Sequence, residues 1–102
     1  MTTRINSTPA PVRAALVEMG EHVVTWRKLN HLTAATVAAR AGIGVTTLRA
    51  IEHGTGSAST EALSRVLRVL GVLASVTRAL DPFESDLGRA RADEVLPQRV
   101  RQ

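Results

Sequence analysis

The sequence predicts an all-α protein, a compact bundle of about five helices followed by a C-terminal extension. Three observations lead there. Apolar residues make up 44% of the 102, yet Trp26 and Phe83 are the only aromatics. A core of Ala, Val, Leu and Ile suits thin, closely packed helices, whereas strand-rich cores draw on aromatic side chains. The apolar positions recur at helical rather than alternating spacing, and glycines at 42, 54 and 71 fall between the periodic stretches.

Residues 1–8 are short, polar and terminal, and are expected to be disordered. Pro9 and Pro11 suit the first turn of a helix. Val12, Leu16, Met19, Val23 and Trp26 then recur at steps of four, three, four and three, one apolar helical stripe that carries helix 1 to about Lys28. Asn30-His31-Leu32 breaks the pattern. Thr33 can cap a second helix, AATVAARA, which Gly42 stops. Gly44 can start a third, VTTLRAIEH, which Gly54 ends. GTGSAS reads as a loop. Ser59 or Thr60 caps a fourth helix whose Leu63, Val66, Leu67 and Leu70 face a core. After Gly71, VLASVTRAL reads as a helix up to Asp81-Pro82. The rest is highly charged and reads as a marginal helix over 84–95 with an extended basic end. The expected organisation is a disordered start (1–8), a helical domain (9–81) and a charged tail (82–102).

Composition narrows the function. With no cysteine there is no disulfide, thiolate zinc site or cysteine nucleophile, which fits a reducing cytoplasm. No apolar run is long enough to span a membrane, and MTTRINSTPAP lacks the apolar centre of a secretory signal. The net charge of +4 points to an anionic partner, against the plainer reading of an arginine-rich composition. His22, His31 and His53 have no metal-ligand spacing on a shared helix face. Asp93-Glu94 and Glu84/Asp86 lack partners to tune them. Ser57, Ser59 and Ser64 have no base placed beside them, and GTGSAS has no phosphate-loop lysine. No enzyme, metal or cofactor is expected.

The informative stretch is ARAGIGVTTLRAIEHG, residues 39–54. Helices 2 and 3 are short and meet at a tight turn on Gly42. Val37, Ile43, Leu48 and Ile51 point inward, and Ala38 is small where the helices cross. Val45, Thr46, Arg49, Ala50 and His53 fall on the opposite face of helix 3. An exposed helix face of this kind enters a major groove.

Residues 19–71 resemble the lambda-repressor-like, or Xre-type, helix-turn-helix family. The markers are Arg27, Leu32-Thr33, Val37-Ala38, Ala41-Gly42-Ile43, Thr47-Leu48, Ile51-Glu52 and Gly54. The resemblance implies a DNA-binding domain in which Arg27 and Glu52 form a structural ion pair. The competing reading of Arg27 is a solvated charge or a phosphate contact. It also implies that Thr33 and Ala34 approach phosphate, that Gly44, Val45, Thr46, Arg49 and Ala50 face bases, and that His53 through Ser57 lie near the backbone again. Members of this family often carry long polar residues where this chain has Ala34, Val45 and Ala50. Direct readout is therefore expected to be thin. Arg49 alone can make a bidentate contact to guanine, its alternative being a phosphate contact or a solvated charge. Val45 and the Thr46 methyl can touch thymine methyls.

Beyond the motif, Val72, Val76 and Leu80, with Leu73 beside them, form an apolar stripe larger than one helix needs to cap a core. They are read as a dimer element, against the plainer reading of a last core helix and a disordered tail. The tail DLGRARADEVLPQRVR is similar to those of HipB-type antitoxins, which implies a HipA-like, kinase-fold toxin as partner. The leading reading is a homodimeric repressor in the bacterial cytoplasm, at the nucleoid. It would bind a palindromic double-stranded operator and autoregulate a toxin-antitoxin operon, with no role for a membrane. A stand-alone prophage-like repressor and a protein-interaction module without DNA binding are the alternatives.

Overall fold

The computed structural model describes residues 7–95. Expectations for residues 1–6 and for the basic end at 96–102 lie outside them. The described residues are all-α, with six helices, two 3₁₀ turns and no strand. They divide into two compact units, one ending at Val72 and one starting at Leu73.

The first unit holds α1 (Ala10–Leu29), α2 (Ala34–Ala41), α3 (Val45–Glu52) and α4 (Thr60–Leu70). Local chemistry sets most of these ends. Pro9 is the N-cap of α1, with Pro11 in its first turn. The chain leaves α1 through Asn30 and through His31, whose φ of 57° is positive. Histidine is among the non-glycine residues that tolerate this region best. Thr33 caps α2 by accepting from the Thr36 N–H at 3.1 Å. Ser59, rather than Thr60, caps α4 by accepting from the Ala62 N–H at 3.0 Å.

α1 packs on α3 and α4, and α2 packs on the same two helices. Their shared core is Val23, Val37, Ala38, Ala41, Leu48, Ile51, Val66 and Leu70. Leu48, Val37 and Val66 are fully enclosed, and burial of a side chain of this size stabilises by about 1.5–3 kcal/mol. Leu63 and Leu67, expected to face the core, are half-buried at its edge, and Val72 packs there too.

The inward face of α1 differs from the stripe that hydrophobicity predicts. Val23 is buried and Leu16 half-buried, but Val12, Met19 and Trp26 are 47%, 42% and 43% exposed. The helix instead turns Leu16, Gly20, Val23 and Arg27 inward. The cause is backbone contact. A Cβ on Gly20 would collide with the carbonyl oxygens of Glu52 and Ile51, the second at 2.5 Å. A Cβ on Gly54 would meet the Val17 Cα at 2.6 Å. α1 therefore lies directly on the C-terminal end of α3, with no side chain between at these two points.

The second unit contains α5 (Leu73–Ala79), a 3₁₀ turn (Pro82–Glu84), α6 (Asp86–Ala90) and a 3₁₀ turn (Ala92–Glu94). The marginal helix expected over 84–95 takes the form of α6 followed by a 3₁₀ turn. Pro82 fixes the first turn, and the Asp81 carboxylate accepts from the Phe83 N–H at 2.9 Å. Ser85 then restarts the chain as the N-cap of α6, accepting from the Gly88 N–H at 3.0 Å. None of the helices or turns in this unit buries a residue fully.

The close approach at Gly20 sets two effects against each other. Alanine gains about 1 kcal/mol of helix propensity over glycine, whereas overpacking costs about 1–3 kcal/mol, and here the obstruction is backbone that cannot rotate away. Gly20→Ala should lower the melting temperature followed by circular dichroism, and Gly20→Val should lower it further. Gly44→Ser, at a position with nothing within 4 Å of a Cβ, should leave it unchanged or raise it. A Gly20→Ala protein more stable than wild type would show that the α1–α3 approach yields easily.

Candidate nucleic-acid interface

The turn between α2 and α3 is short because Gly42 adopts a left-handed conformation (φ 72°, ψ 33°). L-residues with a Cβ rarely enter this region. The Gly42 N–H donates to the Ala39 carbonyl at 3.2 Å, and the Ile43 N–H donates to Ala38 at 3.0 Å. Both helix-terminal carbonyls are satisfied within two residues. Gly44 is the N-cap of α3, and its carbonyl accepts from the Leu48 N–H at 3.1 Å. Arg65 ties α4 to this corner. Its Nη1 donates to the Ala41 carbonyl at 3.3 Å, while Nε and Nη2 donate to Glu61 Oε2 at 3.1 and 2.9 Å. A cation at the C-terminus of α2 also suits the helix dipole.

Arg27 and Glu52 fix the other end of α3. Arg27 Nε donates to Glu52 Oε2 at 2.8 Å, and Nη2 reaches Oε1 at 3.4 Å. Nη1 donates to the Leu32 carbonyl at 3.3 Å. One guanidinium thus joins the end of α1, the entry to α2 and the end of α3. The two side chains are only 16% and 7% exposed.

With its inner face held, α3 presents Val45, Thr46, Arg49 and His53 to solvent, and Gly44 is exposed before them. Ala50 is half-buried. It lines a dimple with Leu16, Met19, Ile51 and Gly54, and its carbonyl accepts from the Thr55 N–H at 3.1 Å. It therefore sits on the shoulder of the helix. At the start of α2, Thr33 is exposed and hydrogen-bonded to Thr36, whereas Ala34 is half-buried and packs against the core. Val76 and Leu80 are 39% and 78% exposed, and Leu73 is half-buried.

Charge follows the same division. The first unit carries seven basic and four acidic residues between 7 and 72, and the chain has no acidic residue from Lys28 to Ile51. Lys28, Arg40 and Arg49 are exposed, and among the described residues none of them makes an ion pair. From 73 to 95 the balance reverses, to five acidic and three basic residues. Among the described residues no group of His, Asp and Glu is placed to hold a metal ion, and no helix is long and apolar enough to cross a membrane.

Sequence patterns missed three supports of this face. Gly20 and Gly54 carry no hydrophobic signal, though a glycine inside a helical pattern often marks a close approach. Arg65 acts across a separation of 24 residues, for which local spacing gives no sign.

Residues 25–74 match the family described as helix-turn-helix. Neither the curated proteins nor the solved structures hold a significant match to the chain.

Removing one partner of a buried pair leaves a desolvated charge behind, at about 3–5 kcal/mol. Arg27→Ala or Glu52→Ala alone should therefore lower the denaturation midpoint sharply. The double variant Arg27→Met, Glu52→Leu should recover most of the loss. Urea titration followed by circular dichroism reads all three. Additive losses in the double variant would mean that the two side chains are not coupled.

Proposed function

We propose, from the helix-turn-helix match over residues 25–74 and the Xre-type resemblance of the motif, that the chain is a dimeric, autoregulating repressor that binds a palindromic operator in duplex DNA. The observation that carries this reading is the outward face of α3. It carries the exposed Arg49, and along the chain from Lys28 to Ile51, where Lys28 and Arg40 are exposed as well, there is no carboxylate. A cationic, acid-free helix face is what counterion release at a phosphate backbone requires.

Each exposed group has a task its chemistry allows. Arg49 presents two parallel donors to the O6 and N7 of guanine, and Val45 and the Thr46 methyl pack on thymine methyls. The Thr33 hydroxyl and the free N–H groups at the start of α2, around Ala34, receive a phosphate. The Gly44 end of α3 brings backbone close to the groove, and His53 returns to the DNA backbone. Ala50, on the shoulder, adds only van der Waals contact. Readout this thin leaves much of the discrimination to DNA shape and half-site spacing.

The dimer is proposed to form through α5, whose Val76 and Leu80 are exposed, with Leu73 and Val72 at its edge. The antitoxin role, with a HipA-like kinase-fold toxin and a site of action on bacterial cytoplasmic DNA, is the finer part of the proposal. Its support is the second unit. Leu80, Leu87 and Val95 are 78%, 62% and 52% exposed, and among the described residues of this unit no side chain is fully buried. Such a surface gains stability when a partner covers it. A protein-interaction module without DNA binding remains the second reading, favoured by the short side chains of Ala34, Val45 and Ala50.

Arg49→Ala should cost about 1–3 kcal/mol on the natural operator and much less on random duplex, with the fold intact. Titrations of both DNAs at fixed salt decide the matter. Equal losses would make Arg49 a phosphate clamp, and no loss on either would remove this face as the reader.

Val76→Asp with Leu80→Asp should leave the helical signal unchanged and convert the dilute, operator-binding dimer to a monomer in sedimentation velocity. An unchanged mass would place the dimer contact elsewhere.

A further inference from the structure

α1 carries a second apolar stripe that the described residues of its own unit leave uncovered. Val12, Ala15, Met19, His22, Trp26 and Leu29 recur at steps of three and four along almost the whole helix. All six are exposed, Leu29 at 63% and Val12, Met19 and Trp26 above 40%. This is the a/d spacing of a helix–helix seam, and it runs beside the inward line of Leu16, Gly20, Val23 and Arg27. At 100° per residue, Arg13, Glu21 and Lys28 fall on the far side of the helix. Glu18 borders the stripe, and its Oε2 lies 3.4 Å from His22 Nε2. A seam without lysine or arginine is a poor surface for DNA.

The sizes along the stripe select its occupant. Laid antiparallel on a second copy about the midpoint between Gly20 and Glu21, the stripe pairs Val12 with Leu29, Ala15 with Trp26 and Met19 with His22. The smallest residue then faces the largest, as an interdigitated contact requires. A parallel arrangement would set Trp26 against Trp26 and leave a gap at Ala15. A patch that fits itself about its own centre is what a two-fold contact needs. From Val12 to Leu29 it runs about 26 Å at 1.5 Å per residue.

The geometry points to an antiparallel α1–α1 contact between two copies of this chain, distinct from the α5 contact proposed above. If α5 builds the DNA-binding dimer, α1 joins two such dimers, and neighbouring operators then fill cooperatively.

Trp26 is the only tryptophan in the chain and lies in the seam, so its fluorescence reports the contact directly. The full chain is followed by tryptophan emission and sedimentation over a dilution series, as wild type, Met19→Glu and Ala15→Glu. Each is also made in the Val76→Asp, Leu80→Asp background. The emission should move to shorter wavelength as concentration rises, with a doubling of mass. Met19→Glu and Ala15→Glu should each abolish both changes while the helical signal stays. In the α5-altered background the shift should persist and the mass should stop at a dimer. If α5 is not an interface, that background alters nothing, and the α1 result is still read from the two glutamate variants. Emission independent of concentration, or masses indifferent to both glutamate variants, would overturn the inference. So would a shift that appears only on adding DNA or a different protein.

Discussion

The Arg27–Glu52 ion pair stands where the three helices that matter for recognition meet. Its guanidinium holds the carboxylate that ends α3 and the carbonyl of Leu32 that leads into α2. A buried charge pair is a costly way to gain stability, because desolvation offsets much of the attraction. Its advantage is geometric. A planar donor fork accepts only a narrow range of positions for its acceptors, so the angle between α1 and α3 is fixed along with their distance. The backbone contact at Gly20, about two helical turns before Arg27, removes the remaining freedom to slide.

What could be read from residues alone was mostly local chemistry. The Thr33 and Ser59 caps and the glycines at 42 and 44 act within a few residues of themselves, so their spacing carries the signal. The helix-turn-helix resemblance was legible for the same reason, being a joint pattern of such short-range features. α1 shows the limit. Apolar residues lie along two of its faces, and periodicity merges them into one stripe, of which Leu16 and Val23 turn inward while Val12, Met19 and Trp26 stay outside. The inner face is marked by a glycine and an arginine, which score poorly on any hydrophobicity scale. The tail keeps its helical tendency over 84–95 only as short pieces, α6 started by the Ser85 cap and stopped at Arg91, and a 3₁₀ turn after it.

Holding α3 by its inner side alone leaves its outer residues nearly free of packing constraints, so they are open to change without harm to the fold. In this chain they are short, and only Arg49 reaches far. On the proposed reading, affinity then depends on the basic, acid-free stretch from Lys28 to Ile51 more than on base contacts from α3.

The second unit buries no side chain fully among its described helices and turns, and this bears on how long the protein lasts. Elements with little buried area open at small cost in free energy, and a protease acts on the opened form in proportion to its population. The core around Leu48 and Val66 opens only when the whole bundle unfolds. One polypeptide thus combines a slow-exchanging head with a segment that hydrolysis reaches first, and anything seated on that segment would set the lifetime of the chain.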